Sequence, residues 1–295
     1  MENSLVPFFE SKLALPEEKV AFLETEMLQL EQTPLPVTHS FGPNLYIREV
    51  FMPAGTFAIG HRQKTTHFNV MLKGKVLYFN EDGTKTILEA PLSYTAPPGR
   101  KIGYILEDMV WQNIYSTDET DVEKLETLYL DKTQYSLEHR NKELLLRCND
   151  TTEDLEDFKQ MLEDLGVTEE LVKEQSEKED DMIGLPLGSY KFQVGTSNIH
   201  GKGVFATSDI LEGELVGVAR LGDKRTILGR YTNHSKNPNA RMVLHTNGDM
   251  YLIMIKAVSG CRGGDLGDEI TIDYRQSYKL AMEKHSCQQQ LPQQP

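Results

Sequence analysis

Three separated stretches in the last third of the chain carry side chains suited to ligand binding and group transfer. The first contains Gly201 and Gly203, and a glycine lets the backbone approach a ligand closely because it has no Cβ. The second contains Asn233, whose amide offers hydrogen-bond donors and an acceptor to an ammonium or carboxylate group. The third ends in Tyr274, whose phenol hydroxyl can orient an amine without acting as a strong base. Each stretch alone is weak evidence, because a Gly-x-Gly spacing is common by chance.

In this order, the three stretches resemble the motifs of the SET-domain protein methyltransferases. The matching residues are Ser197-Asn198-Ile199-His200-Gly201-Lys202-Gly203-Val204-Phe205-Ala206, then Gly229-Arg230-Tyr231-Thr232-Asn233-His234-Ser235 with Pro238-Asn239, and finally Gly267-Asp268-Glu269-Ile270-Thr271-Ile272-Asp273-Tyr274. The resemblance covers roughly the last third of the chain. It implies that S-adenosylmethionine is the cofactor, and that the residues holding it are His200, Gly201, Lys202, Gly203, Tyr231, Asn233 and, mainly through its backbone, His234.

The same resemblance implies that Tyr274 is the catalytic residue. Methyl transfer to lysine is an in-line displacement at a carbon already activated by the sulfonium, so the enzyme must align a neutral amine with that methyl group. Free lysine has a pKa of about 10.4, and a dry apolar channel lowers it because burial disfavours the ammonium form. We therefore expect an S-adenosylmethionine-dependent protein-lysine methyltransferase.

The chain also departs from the SET pattern. Only 13 residues separate Leu215 from Gly229, where the family usually places a longer insert that forms much of the substrate channel. No cysteine cluster follows Tyr274. Walls for a lysine channel would have to come from the rest of the chain or from a second subunit. The alternative is a non-catalytic binding or assembly protein that uses both of its domains as scaffolds.

A second set of residues, nearer the N-terminus, has the spacing of metal ligands. Gly55, His61, Gln63, His67 and Gly74 are spaced as in the first motif of the cupin family, which this stretch resembles. Pro97-Pro98-Gly99 resembles the Pro-x-Gly of the second cupin motif. The resemblance implies a small β-barrel, or jelly roll, in this part of the chain.

The metal ligands of that family are altered here. The family places His, His and Glu where this chain has His61, Gln63 and His67, and a further His where it has Ile102. A divalent transition metal needs three or four converging donors, and only two strong donors remain. We therefore expect no metal. The histidines are then ordinary polar residues or part of a small-ligand pocket that Trp111 could line.

The surrounding pattern predicts a mainly β protein with helices. We expect a cupin-like β-barrel, then an acidic helical linker, then a compact SET-type β fold. The predicted divisions are an N-terminal segment with a helix (1–32), the cupin-like barrel (33–133), the linker (134–182), the SET-like domain (183–280) and a flexible Gln/Pro tail (281–295). In the first of these, Val20, Leu23, Met27 and Leu30 repeat at helical spacing.

Length and charge narrow the function further. The chain has 295 residues, which favours two domains at about 150 residues each. Residues 150–181 contribute most of the formal charge of −14, because they contain 14 acidic residues and only three lysines. This charge argues against nucleic-acid binding, which needs a basic face. It is compatible with a basic protein substrate, although a solvated helical spacer is the simpler interpretation.

Other features bear on location and assembly. No stretch has the roughly 18 apolar residues of a membrane span, and three scattered cysteines favour a reducing cytoplasm. We expect no membrane partner. The combination of a compact SET core with a cupin resembles microbial or bacteriophage proteins. If the protein is viral, we expect it in the host cytoplasm. A homo-oligomer formed through the cupin-like domain is a further hypothesis.

Overall fold

The computed structural model describes residues 17–80, 82–134, 136–139, 152–262 and 265–290, and the protein is mainly β with several helices. The helices are α1 (Glu17–Met27), α2 (Val122–Tyr129), α3 (Thr152–Leu165), α4 (Glu169–Glu177), α5 (Ile227–Tyr231) and α6 (Tyr274–Gln290). The strands are β1 (Val37–Gly42), β2 (Leu45–Met52), β3 (Phe57–Ile59), β4 (Arg62–Gln63), β5 (His67–Phe79), β6 (Lys85–Glu89), β7 (Leu92–Ala96), β8 (Ile102–Tyr115), β9 (Leu130–Asp131), β10 (Gly188–Tyr190), β11 (Phe192–Thr196), β12 (Lys202–Ala206), β13 (Leu215–Leu221), β14 (Lys224–Arg225), β15 (Asn233–His234), β16 (Ala240–Leu244), β17 (Met250–Met254), β18 (Cys261–Arg262), β19 (Asp265–Leu266) and β20 (Glu269–Ile272). Among these described helices, none is long and apolar enough to cross a lipid bilayer.

Eight strands form the N-terminal sheet, in the order β10-β1-β2-β8-β5-β6, with β3 also paired to β8 and β7 to β5. Side chains of a strand alternate between its two faces, so Met109, Trp111 and Asn113 of β8 share one buried side. Within the described residues no pairing joins the edge strands β10 and β6. The closed barrel predicted from the sequence is therefore not found, and the sheet is open.

Gly74 lies where the register between β5 and β8 shifts. Its φ is +97°, in the left-handed region, and a Cβ there would lie 2.5 Å from the carbonyl oxygen of Asp108. A glycine satisfies both constraints because it has no Cβ. The last glycine of the cupin-type spacing thus has a backbone role that does not depend on a metal.

Two four-stranded sheets form the C-terminal part, in the orders β11-β12-β20-β15 and β14-β13-β17-β16. The apolar runs that begin at Leu215, Met250 and Glu269 form β13, β17 and β20. Val216, Leu252 and Ile270, one from each of these strands, are buried, because alternate positions face the interior.

The N-terminal and C-terminal parts share a hydrophobic core. One buried cluster joins Phe41, Tyr46 and Tyr115 of the N-terminal sheet to Phe192 and Val204 of the C-terminal part. In addition, β10 pairs antiparallel with β1, although the predicted division at residue 183 assigns β10 to the other side. Burial of apolar surface across this boundary stabilises both parts together.

The acidic segment is more ordered than its composition suggests. The stretch from Lys173 to Asp181 is polar enough to suggest a frayed segment, but α4 covers it as far as Glu177. Thr168 caps the start of α4, since its hydroxyl oxygen accepts from the Leu171 amide at 3.2 Å. The Arg225 guanidinium then holds the Asp181 carboxylate through two bonds of 2.7 and 2.9 Å.

The helices at the two ends of the described chain differ in length from the sequence prediction. Val20 and Leu23 of α1 are buried as the helical spacing predicts, whereas Leu30 lies beyond the helix and is exposed. Helix α6 continues to Gln290, where the sequence predicts a flexible tail. Residues 291–295 of that predicted tail lie outside the described residues.

Candidate functional site

The three stretches that resemble SET motifs lie in one sheet. Strand β12 pairs antiparallel with β20, placing Val204 opposite Ile270. On the other side β15 runs parallel to β20, with Asn233 opposite Thr271. Tyr274 opens α6 two residues after β20 ends. The fold therefore brings the glycine loop, the Asn-His pair and the phenol around one central strand.

The carboxylate of Glu269 occupies the centre of this arrangement. Ser197 Oγ lies 2.9 and 2.8 Å from its two oxygens, and Asn233 Nδ2 donates to Oε1 at 2.8 Å. Burial raises the pKa of Glu269, and the hydrogen bonds from Asn233 and Ser197 act in the opposite direction. A Cβ on Gly203 would lie 2.2 Å from Glu269 Oε1. The glycine thus makes room for this carboxylate, a residue that the sequence analysis did not single out.

Asn233 also holds the glycine loop in place. Its Nδ2 lies 3.0 Å from the Lys202 carbonyl oxygen and 3.3 Å from that of His200. The His200 side chain is exposed. Gly201 has φ +52°, and no atom lies within 4 Å of the position its Cβ would take. Space for a ligand therefore exists at Gly201 but not at Gly203.

Lys202 and Tyr231 face the N-terminal part of the protein. Lys202 Nζ forms an ion pair with Glu123 of α2 at 2.5 Å and lies 5.6 Å from the Tyr231 ring centroid. The pKa of Lys202 is raised, first by its hydrogen bond to Glu123. These two predicted cofactor residues thus link α2 to the glycine loop.

Tyr274 lies next to the Asn-His pair, as the three-part pattern requires. Its hydroxyl donates to the carbonyl oxygen of Thr232 at 3.1 Å, and its amide N–H donates to Nδ1 of His234 at 3.2 Å. Burial raises the pKa of Tyr274 to about 12, so the hydroxyl keeps its proton near neutral pH. One lone pair on the hydroxyl oxygen remains able to accept a hydrogen bond from an amine.

Helix α3 of the acidic segment covers this group of residues. Asp157 Oδ2 lies 3.0 Å from His234 Nε2 and accepts from Arg275 at 2.7 Å. The Phe158 ring lies 6.3 Å from the Tyr274 ring, at an angle of 75°. The acidic segment is therefore part of the site instead of a solvated spacer. Asp157 and Phe158 were missed because their partners, His234 and Tyr274, are distant from them in the sequence.

A cationic ligand fits the chemistry of this site. Glu269 is a largely buried carboxylate, and in the part of the chain that the structure describes it forms no ion pair. A buried carboxylate is stabilised by a positive charge close to it. S-adenosylmethionine carries a sulfonium and an ammonium group, and no atom lies within 4 Å of the position that a Cβ on Gly201 would take.

Two of the cupin-type donors, Gln63 and His67, are already hydrogen-bonded within the protein. Gln63 and Gly99 form a backbone bridge that joins the two cupin-like stretches. Gln63 Oε1 accepts from the Tyr115 hydroxyl at 2.6 Å. His67 Nε2 lies 2.6 Å from Lys101 Nζ, so a lysine ammonium takes the position where a metal would bind that nitrogen. Among the described residues no group of three His, Cys, Asp or Glu side chains could hold a metal ion, and Ile102 is buried in the core.

Comparison with known proteins gives similarity to cupin structures over part of the chain. No protein-family model and no curated protein matches it. KdgF from Halomonas sp. is 17% identical, with 30% of this chain and 84% of that chain covered and a TM-score of 0.25. A cupin domain from Bordetella pertussis Tohama I is 20% identical over 30% of this chain and 98% of that one, with a TM-score of 0.25. An RmlC-like cupin with a double-stranded β-helix fold from Methanocaldococcus jannaschii is 13% identical, covers 32% and 87%, and has a TM-score of 0.25. The SET-type fold and the phage origin stay predictions.

Proposed function

We propose that the protein transfers a methyl group from S-adenosylmethionine to a lysine side chain of a protein substrate. The observation that carries this proposal is the pairing of β15 and β20, which places Asn233 beside the last strand and the Tyr274 hydroxyl on the Thr232 carbonyl. A sulfonium donor and an amine acceptor need this kind of convergence, because the displacement is in line.

Each residue then has a defined task. The exposed loop at His200 and Gly201 approaches the cofactor, while Asn233 and the His234 backbone hold its amino-acid end. Glu269 supplies negative charge close to these groups. When bound, S-adenosylmethionine supplies a methyl carbon whose bond to sulfur breaks as the neutral lysine nitrogen bonds to that carbon. The Tyr274 hydroxyl oxygen accepts an N–H bond from the amine and so orients it.

Helix α3 restricts access to Tyr274 in this mechanism. Phe158 packs against the His234 and Tyr274 rings, with centroid distances of 6.2 and 6.3 Å. A lysine that reaches Tyr274 must displace Phe158 or pass beside it. The missing insert between Leu215 and Gly229 is thereby partly replaced by a segment that precedes the SET-like part in sequence.

The second candidate function is a non-catalytic scaffold. The observation in its favour is that neither of the two main cavities described in the protein is lined by Asn233 or Tyr274. In that case α3 would be a permanent part of the core, and the motif residues would serve stability alone.

Calorimetry with S-adenosylhomocysteine separates the two functions. We expect the wild-type chain to bind it, and Phe158→Ala to bind it more tightly because the covering ring is removed. Leu155→Ala, at an exposed position of the same helix, is the matched control and should bind like the wild type. Absence of binding in all three proteins at millimolar ligand would contradict the methyltransferase and support the scaffold.

A further inference from the structure

A cavity that contains none of the methyl-transfer residues is lined mainly by the N-terminal part of the protein, with a few residues of the C-terminal part at its boundary. We call it the interunit cavity; its volume is about 360 Å³. Val50, Met109 and Trp111 of the N-terminal sheet line one side of it, and Gln193 and Thr207 of the C-terminal part contribute to another. A cavity of this size is in the range that holds a small organic molecule.

A polar row crosses the sheet where the cavity meets it. His39 on β1 is paired with Arg48 on β2, and Arg48 is paired with Asn113 on β8. Directly paired residues point to the same face of a sheet, so the three side chains stand side by side toward the cavity, which all three line. Core positions of a sheet are normally apolar, and a buried polar row therefore requires bonding partners.

The protein does not supply all of these hydrogen-bond partners. His39 is 1% exposed, and its Nδ1 bonds to the Tyr46 hydroxyl at 2.8 Å, but its Nε2 has no hydrogen-bond partner. Arg48 Nε and His61 Nδ1 are also buried without a partner. A buried polar group without a partner costs about 1–3 kcal/mol, so native proteins rarely leave several in one place. Three unpartnered nitrogens on one cavity indicate that a ligand supplies the missing acceptors.

The charge balance of the cavity indicates the sign of that ligand. Glu126 is engaged by Lys132 at 2.5 Å and by Gln193 at 2.6 Å, and Glu24 is paired with Arg100. No carboxylate forms an ion pair with Arg48 in the described part of the chain. Both carboxylates are thus paired with a cation, although Glu24 Oε2 has no hydrogen-bond partner, and the Arg48 guanidinium remains as positive charge without a carboxylate bonded to it.

The histidines add donors without adding charge. Burial lowers the pKa of His39 to about 3, with a further contribution from Arg48. Burial likewise lowers the pKa of His61 to about 3, followed by the effect of Lys132. Both imidazoles are therefore neutral near pH 7, and each can present an N–H to an oxygen acceptor in the tautomer that its other nitrogen allows.

We propose that the interunit cavity binds a small organic carboxylate. Its oxygens accept from Arg48, His39 and His61, and its hydrocarbon part lies against Val50, Met109 and Trp111. The oxygens of a carboxylate match these nitrogen donors, and a charge-assisted bond to a guanidinium is among the stronger kinds. This site has no residue in common with the methyl-transfer site, so either proposal can fail without the other.

The test uses the full chain and two probes of the same shape, benzoate and benzamide. We expect benzoate to bind at submillimolar to millimolar concentration in calorimetry, and benzamide to bind at least about tenfold more weakly because it lacks the negative charge. Arg48→Gln should weaken benzoate binding at least about tenfold. Arg241→Gln, at an exposed position, is the matched control and should leave it unchanged.

Three results would overturn the proposal. They are equal binding of the two probes, full benzoate binding by Arg48→Gln, and no binding of either probe at 10 mM, a concentration about tenfold above the expected range. The last result would mean that water alone satisfies the donors. If Arg48→Gln does not fold, His39→Ala measures the same contact, since it removes one donor. Binding of S-adenosylhomocysteine by the Arg48→Gln variant shows independently that the methyl-transfer site is intact.

Discussion

The carboxylate of Asp157 lies 3.0 Å from Nε2 of His234, although the two residues are 77 positions apart in the sequence. The opposite ring nitrogen, Nδ1, accepts the backbone N–H of Tyr274. Because Nδ1 accepts a hydrogen bond, the ring proton lies on Nε2, next to Asp157. The His234 imidazole therefore connects α3 to the start of α6. The acidic segment therefore positions the SET-like motif residues as well as covering them.

Replacing Asp157 by asparagine should detach α3 and make stability less dependent on pH. The hydrogen bond from Arg275, followed by that from His234, lowers the pKa of Asp157. A lowered folded-state pKa gives stability that is present above the unfolded value of about 3.9 and is lost as pH falls through the folded value. We expect Asp157→Asn to cost about 1–2 kcal/mol at pH 7.

Urea unfolding at pH 7 and at pH 3 measures this difference. The gap between wild type and Asp157→Asn should shrink at the lower pH, because below about 3.9 the unfolded chain takes up a proton at Asp157 and the wild type loses part of its advantage. Glu156→Gln is the control, because Glu156 is the exposed neighbour on the same helix. A gap of the same size at both pH values would show that the Asp157 charge does not hold α3.

Tyr274→Phe should remove methyl transfer while leaving the fold intact. The substitution deletes one hydrogen bond, to the Thr232 carbonyl, which is worth about 0.5–1.5 kcal/mol. Loss of the oxygen that orients the amine should reduce the rate about a hundredfold or more. Transfer of labelled methyl groups to a lysine-rich protein is the measurement, and Tyr278→Phe, at an exposed tyrosine, is the control. Full activity of Tyr274→Phe would exclude the assigned role.

The sequence predicts individual strands better than it predicts the contacts between elements that are distant in the sequence. Runs containing β-branched and aromatic residues coincide with β2, β13 and β17, because such side chains suit a partly buried strand. The pairing of β10 with β1 has no such signal, since it depends on a contact between residues about 150 positions apart, such as Tyr190 and His39. For the same reason the contact of Phe158 with Tyr274 emerges only in three dimensions.

The candidate site shows the same limit. The sequence identifies Gly203 as a glycine of interest and attributes it to ligand approach. The structure gives a different reason, because the Glu269 side chain fills the space that a Cβ would need. A spacing rule gives the residue type but not the neighbour that requires it, and that neighbour is contributed by β20.

Alanine at Gly203 should therefore be costly. Its Cβ would lie 2.2 Å from Glu269 Oε1 and 2.9 Å from Ser197 Cβ, so the carboxylate would lose its bonds to Ser197 and Asn233. We expect a loss of about 3 kcal/mol, typical of overpacking in a buried site. Gly201→Ala meets no atom within 4 Å and should cost only about 1 kcal/mol, for its left-handed backbone. Urea unfolding of the two variants tests this, and equal losses would contradict the role given to Glu269.

Lys101 provides a test of how the altered cupin site is stabilised. Burial lowers the pKa of Lys101 to about 8, while in the unfolded chain it is about 10.4. Between these two values the unfolded chain binds more protons, so the free energy of unfolding of the wild type should rise as pH increases from about 8 to about 10.4. Lys101→Met removes this titration and should give a flatter profile over the same interval. Urea unfolding at pH 8 and pH 10 is the measurement, with Lys256→Met as an exposed control that should keep the wild-type slope. Parallel profiles for wild type and Lys101→Met would mean that burial does not lower the pKa of the Lys101 ammonium beside His67.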